Sequence, residues 1–114
     1  MRNRLFLFLN CYKNDKVKKL QLNGTKFQIE VWNQIKKIPK GTVKTYKEIA
    51  LILNRPRSSR AVANACAKNP YPPKIPCHRV IRSDGYLGGY SGKGGIKTKQ
   101  KLLISEGFFD FKIN

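Results

Sequence analysis

Apolar residues recur at Phe27, Val31, Ile35 and Ile38, a spacing that lines one face of a helix. Thr25-x-x-Gln28 just ahead of them reads as a capping box, so the helix is predicted to begin at Thr25 and to stop at Pro39-Lys40-Gly41. Trp32 sits on so apolar a helix that it belongs in the core. A second box, Thr45-x-x-Glu48, opens a helix of about eight residues through Ile49, Ala50, Ile52 and Leu53, with Asn54 as a left-handed cap. Arg55-Pro56-Arg57 turns the chain, and Ser58 or Ser59 starts a third helix, Arg60 to about Lys68. Two short helices joined by a turn of about four residues form a helix-turn-helix, with a generic helical hairpin as the plainer alternative. A last helix spans Ile96 to Glu106, with Leu102 and Leu103 facing inward, Gly107 closing it, and Phe108, Phe109 and Phe111 folding the tail down.

Strand signals are weaker. Leu5 to Leu9 and the alternating Val17 to Leu22, separated by Asn14-Asp15, predict a small hairpin. Val80-Ile81 predicts another strand, turned back by Ser83-Asp84-Gly85 into a wing-like hairpin. The expected fold is mainly α with a small β component, a winged helix-turn-helix-like DNA-binding domain over residues 23–114, preceded by a short strand-like segment over residues 1–22. Between Gly85 and Gly95 the chain is glycine-rich, which suits a solvated loop or a phosphate cradle. No Gly-Lys-Ser/Thr follows and no βαβ context surrounds it, so we read it as the wall of a substrate pocket.

Composition adds a partner. The 114 residues make one small domain with a modest core. Lys and Arg number 24 against 6 Asp and Glu, a formal charge of +18, and self-repulsion of that size is relieved by a polyanion. Nucleic acid is the natural one, although a solubilising lysine surface would look similar. Cys11, Cys66 and Cys77 show no paired or metal-ligand spacing, and one histidine leaves no Cys/His cluster for zinc. Reduced thiols, no metal and no cofactor follow, together with an intracellular location, cytoplasmic or beside the chromosome. The apolar run Leu5 to Leu9 is too short for a signal peptide core or a membrane span.

The chemistry gathers at Pro76-Cys77-His78-Arg79-Val80. Pro70, Pro72, Pro73 and Pro76 stiffen the approach to Cys77, which suits a nucleophile that must be held in place. A free cysteine is more often a small buried hydrophobe. On a strand, Cys77 and His78 would point to opposite faces, so a bridging water is the expected link between them.

The run Ile75-Pro76-Cys77-His78-Arg79-Val80-Ile81, with Asn69-Pro70 before it and Gly89-Tyr90-Ser91-Gly92 after it, resembles the active-site signature of the 6-O-alkylguanine-DNA alkyltransferases, the methylated-DNA–protein-cysteine methyltransferases. Supporting blocks run in order from Gly24 to Gly107: Gly24-Thr25-x-Phe27-Gln28-x-x-Val31-Trp32, Ile38-Pro39-x-Gly41-x-Val43-x-Thr45-Tyr46, Arg60-Ala61-Val62-Ala63 and Leu102-Leu103-x-x-Glu106-Gly107. Lys93-Gly94-Gly95 lengthens the loop before the last helix relative to many members. Members usually carry a larger N-terminal domain where this chain has residues 1–22, and nothing belonging to that domain is carried over.

The resemblance implies direct repair of double-stranded DNA containing 6-O-alkylguanine, by a monomer that transfers the alkyl group irreversibly to its own Cys77. It assigns His78 and Glu106 to a Cys-water-His-Glu relay and Tyr46 to donation toward the purine ring nitrogen. The carbonyls of Cys77 and Val80 would read the exocyclic amine, Tyr90 and Ser91 would line the oxygen side, and Asn69 would hold the cysteine loop. Arg60 matches the residue that enters the base stack, although a phosphate contact also fits it. Ala61, Ala63, Ala65 and Ala67 make its helix smooth, which implies weak sequence preference and affinity from phosphate contacts. Two rivals remain: an alkyltransferase-like protein that binds the lesion without accepting the group, a class that lacks the cysteine, and a winged-helix regulator whose thiol is incidental.

Overall fold

The computed structural model describes residues 22–112, so the expected hairpin of Leu5 to Leu9 and Val17 to Leu22 lies, apart from Leu22, outside the described residues, as does Cys11. Helix α1 is Lys26–Ile35, strand β1 is Lys44–Thr45, and helices α2 and α3 are Tyr46–Ile52 and Ser59–Ala67. A single 3-10 turn, Cys77–Arg79, leads into strand β2, Val80–Ile81, and helix α4 is Gly95–Ser105.

Both capping boxes form. Thr25 Oγ1 accepts from the Gln28 N–H at 3.1 Å while Gln28 Oε1 accepts from the Thr25 N–H at 3.0 Å. Thr45 and Glu48 repeat the exchange at 3.0 and 2.8 Å. Each box satisfies donors that a helix start otherwise leaves unpaired. Helix α1 buries Val31, Trp32 and Ile35 and ends at Ile35, earlier than predicted, while the turn that follows keeps Ile38 buried. Trp32 is in the core as expected, and its Nε1–H donates to the Ala65 carbonyl at 2.8 Å, tying α1 to α3.

Asn54 adopts the left-handed conformation, φ 61°, and ends α2 as read from the sequence. Ser58 is the N-cap of α3, but its side chain makes no capping bond. Val62, Ala65 and Cys66 face the core, leaving Arg60, Ala61 and Ala67 exposed on the other side.

The two strands pair in parallel, Lys44 beside Val80 and Thr45 beside Ile81. This pairing brings the first residue of α2, Tyr46, beside the chain that has just left Cys77. The predicted wing is present only as a turn. Arg82 N–H donates to the Tyr86 carbonyl at 2.9 Å, but β2 pairs with β1 and not with a returning limb. Beyond the turn Leu87 drops into the core and Gly88, φ 75°, diverts the chain, so a ladder has no residues left to form it.

Leu103 is fully buried, against Ile81 and Leu87, whereas Leu102 is only half-buried. Phe108 and Phe111 pack on this cluster, but Phe109 is 68% exposed and does not fold down with them. Gly107, φ 89°, ends α4 with Phe108 N–H on the Leu103 carbonyl and its own N–H on the Ile104 carbonyl, the double bond pattern of a Schellman cap.

Replacing Trp32 by Phe removes the donor to the buried Ala65 carbonyl. We expect Trp32→Phe to lower unfolding stability by about 2 kcal/mol in urea titrations, the usual penalty for stranding a buried acceptor.

Candidate active site

Asn69, just past the end of α3, is the clamp on the thiol. Its side-chain amide donates to the Ile75 carbonyl at 2.7 Å and to Cys77 Sγ at 3.1 Å. Its Oδ1 accepts from the Tyr71 N–H at 2.9 Å. One buried side chain thereby fixes both ends of the proline-rich approach. Cys77 is 3% exposed, and its sulfur lies 3.9 Å from Ser91 Oγ.

Cys77 and His78 lie in a 3-10 turn rather than on a strand, and the strand starts at Val80, as its apolar run predicts. Pro76 cannot donate a backbone hydrogen bond, and the Cys77 N–H turns back to the Ile75 carbonyl, so the chain coils before it extends. The two side chains still diverge. No hydrogen bond joins them; Sγ faces Asn69 and Ser91 while the imidazole faces Glu106.

Behind the thiol, His78 Nε2 and Glu106 Oε2 are 2.9 Å apart. Arg79, which the sequence reading left without a role, grips the same carboxylate with Nε on Oε1 at 2.9 Å and Nη2 on Oε2 at 2.8 Å, and its Nη1 donates to the Ile38 carbonyl at 2.8 Å. Two parallel bonds of this kind are strong and directional. The Arg79 fork, with His78 adding to it, holds the Glu106 carboxyl down at about 2 against the opposing effect of burial. Burial pushes the His78 ring below its ordinary value, only partly offset by Glu106.

These two facts set the tautomer. An ionised carboxylate can only accept, so Nε2 must carry the hydrogen, and in the neutral ring Nδ1 then keeps its lone pair. Nδ1 is buried with no hydrogen-bond partner among the described residues. The arrangement presents a neutral base whose free nitrogen is fixed by what the other nitrogen does.

Across the site, Tyr46 is nearly buried at the start of α2. Lys99 of α4, a second residue the sequence reading passed over, is fully buried and donates to the Leu87 and Gly89 carbonyls at 2.6 and 2.9 Å and to Tyr46 Oη at 3.4 Å. Burial lowers its ammonium to about 8, and burial pushes the Tyr46 phenol well above its ordinary value. Gly88 is required here, because a Cβ at that position would stand 2.8 Å from Tyr46 Oη. One signal for Lys99 was available: it lies one helical turn before Leu103, on the buried face of α4.

A cavity of about 910 Å³ opens where these elements meet, and Cys77, Tyr46, Arg60, Tyr90 and Ser91 all line it. Asn69, His78 and Glu106 stand behind Cys77 rather than on the wall, and the Val80 side chain is in the core. The edge of the His78 ring meets Tyr90 with centroids 6.4 Å apart. Arg60 is exposed in the first turn of α3, beside the cavity. Among the described residues the ion pairs are those of Glu106 with His78 and Arg79, and Arg82 with Asp84, so most of the basic side chains are left without a protein counter-charge. No helix among them is long and apolar enough to cross a membrane.

Residues 26–108 match the family model described as 6-O-methylguanine DNA methyltransferase, DNA binding domain. A methylated-DNA–protein-cysteine methyltransferase of Methanosarcina acetivorans is 47% identical over 78% of this chain and 56% of its own length. The crystal structure of Mycobacterium tuberculosis OGT in complex with DNA superposes with a TM-score of 0.72 at 44% identity, covering 75% of this chain and 52% of that one. An ATL of S. pombe, in complex with DNA, gives a TM-score of 0.63 at 30% identity over 82% of this chain and 93% of that one. The chain thus spans about half the length of the first two and nearly all of the third.

The site predicts an acid-sensitive fold. With its folded value below the ordinary 4.5, the Glu106 carboxyl contributes stability that is complete above about pH 4.5 and is lost as pH falls toward 2. His78, lowered by burial, contributes in the same direction: its share is full above about 6.5 and fades as pH falls below it, where the unfolded ring takes a proton first. Thermal melts from pH 7 to pH 2 should show Glu106→Gln destabilised by about 2 kcal/mol at neutral pH, with a flatter slope than wild type below pH 4.5. Parallel slopes would contradict the assignment.

Proposed function

We propose, for a chain that belongs to the 6-O-methylguanine DNA methyltransferase family, that it repairs duplex DNA by moving the alkyl group of a 6-O-alkylguanine irreversibly onto Cys77, one lesion per molecule. The observation that carries this reading is a sulfur on the wall of a cavity with a neutral, buried imidazole oriented by an ionised carboxylate behind it. A thiol is a weak nucleophile until a base takes its proton. His78 Nδ1 is that base, reached from Sγ through one water, and the ring becomes the imidazolium that Glu106 then balances.

The sulfur attacks the alkyl carbon as the bond from that carbon to the 6-oxygen breaks. The electron pair passes to the purine, which Tyr46 relieves by donating from its hydroxyl to the ring nitrogen. Tyr90 and Ser91 line the side of the leaving oxygen, the carbonyls of Cys77 and Val80 receive the exocyclic amine, and Asn69 keeps the thiol aimed. The base must first leave the stack, which costs a few kcal/mol and is easiest where pairing is already damaged. Arg60, exposed beside the cavity mouth, enters the space vacated. The uncompensated cations supply the phosphate contacts.

A second reading, lesion binding without transfer, has support in the extent to which the chain covers the S. pombe ATL. Cys77 on the cavity wall favours transfer.

Intact-mass measurement after incubation with 6-O-methylguanine duplex should show one added methyl group per protein, located on Cys77, while Cys77→Ala should bind the duplex and gain nothing. Binding without any mass change in the native chain would favour the second reading. Separately, Arg60→Ala should slow single-turnover transfer from duplex by about tenfold or more while sparing transfer from the free base; equal losses on both would reject its part in base extrusion.

A further inference from the structure

Lys99 is the least expected charge in the molecule. It is fully buried on α4, and no carboxylate among the described residues pairs with it. A buried ammonium is tolerated only where its hydrogens are taken. Here three donors meet three acceptors: the Leu87 carbonyl at 2.6 Å, the Gly89 carbonyl at 2.9 Å and Tyr46 Oη at 3.4 Å. Two of these acceptors belong to the glycine-rich segment, Leu87 in the core and Gly89 on the cavity wall, and the third to the residue read above as the donor to the purine.

The ammonium has no lone pair, so it engages the phenol only as a donor, and the hydrogen of Tyr46 must seek an acceptor elsewhere. Tyr46 lines the cavity. We propose that Lys99 acts through Tyr46 as the proton reservoir for the departing guanine: it orients the phenolic hydrogen toward the base and replaces that proton once Tyr46 has released it. The proposal rests on the transfer reaction argued above and extends it.

The protons balance. As the bond from Sγ to carbon forms and the bond from carbon to the 6-oxygen breaks, the purine ring nitrogen takes the Tyr46 proton and Tyr46 oxygen takes one from Lys99. The neutral amine left behind keeps two N–H groups, one for each wall carbonyl, and its lone pair accepts from the restored Tyr46 hydroxyl. The proton lost by Cys77 meanwhile sits on His78. One cation disappears at Lys99 as another appears at His78, and the net charge around the cavity is unchanged.

The titratable neighbours agree with this direction. Facing Lys99 are Tyr46 from α2, Cys66 from α3, and Cys77 with His78 from the 3-10 turn, and Arg82 acts on Tyr46 from beyond β2. Burial dominates and brings the ammonium to about 8, with Cys66 and Cys77 opposing it, while the phenol is driven upward. Lys99 is therefore the stronger acid of the pair, and a tyrosinate beside it would be quenched at once.

The test compares wild type, Lys99→Met, Tyr46→Phe and the double variant in single-turnover methyl transfer from 6-O-methylguanine duplex, between pH 6 and 10. Cys77 alkylation by iodoacetamide is followed in parallel, because iodide leaves without a proton. Wild type should lose rate on the alkaline side around pH 8, where Lys99 gives up its proton. Lys99→Met should transfer about a hundredfold more slowly, without that alkaline limb, while its iodoacetamide rate stays within about twofold of wild type. In the Tyr46→Phe background, Lys99→Met should slow transfer no further. Should Lys99→Met fail to fold, Lys99→Arg keeps the cation without a readily released proton and should likewise lose the limb. Equal slowing of both reactions, an alkaline limb that survives the substitution, or multiplying effects in the double variant would overturn the role of Lys99 alone. A wild-type protein that reacts with iodoacetamide yet takes no methyl group would overturn the transfer reading and this one with it.

Discussion

The Arg79 fork on Glu106 is the interaction on which the site depends. Glu106 lies at the C-terminal end of α4, where the helix dipole disfavours a carboxylate. Two parallel bonds from Arg79 reverse that preference and keep the group ionised. Ionisation in turn decides which nitrogen of His78 carries the hydrogen, and so which one is left as a base. Remove the guanidinium and the carboxylate has less reason to stay charged, the imidazole less reason to hold one tautomer. Arg79 also bonds the Ile38 carbonyl just beyond α1, so the first and last helices are joined through the same residue that tunes the base.

The opposite wall follows a different logic. There the charge is a cation in the interior, and it is tolerated because backbone carbonyls surround it. Lys99 holds Leu87 and Gly89 in place and reaches Tyr46, while the left-handed Gly88 between them leaves room for the phenol. The cavity therefore has a proton acceptor on one side and proton donors on the other, each isolated from solvent by its own shell. In the proposed reaction the proton leaving Cys77 goes to the first shell and the proton taken by the purine comes from the second.

Much of the scaffold was legible in the sequence because its signals are local. The boxes at Thr25-Gln28 and Thr45-Glu48 are bonds between residues three apart, and Asn54 tolerates a left-handed backbone without help from tertiary structure. The thiol, its histidine and Glu106 are singled out by family resemblance more than by physics, since nothing local ties Cys77 to a helix end so far along the chain. The parallel pairing of Lys44 with Val80 escaped notice because two residues per strand carry no alternation to read. The strand begins at Val80, where the apolar Val80-Ile81 run places it, but the 3-10 turn before it has no such signature, because it depends on the Cys77 N–H closing on the Ile75 carbonyl behind a proline. Lys99 was hidden among many lysines. Its burial depends on acceptors from the cavity-wall loop and α2, which no sequence window of ordinary length brings together.

The position of Asn69 has a mechanical consequence. Helix α3 begins beside Arg60 and ends just before the residue that clamps the sulfur, so the face proposed to meet DNA and the atom proposed to react are two ends of one short rod. With proline on the far side of the clamp, the thiol has no slack of its own, and its depth in the cavity wall is a fixed gauge. In the proposed reaction, differences in adduct bulk are absorbed by the rest of the cavity wall, where Gly89 presents bare backbone with open space beside it. Tolerance for lesion size is in this sense a property of that wall, and the nucleophile is the ruler against which it is measured.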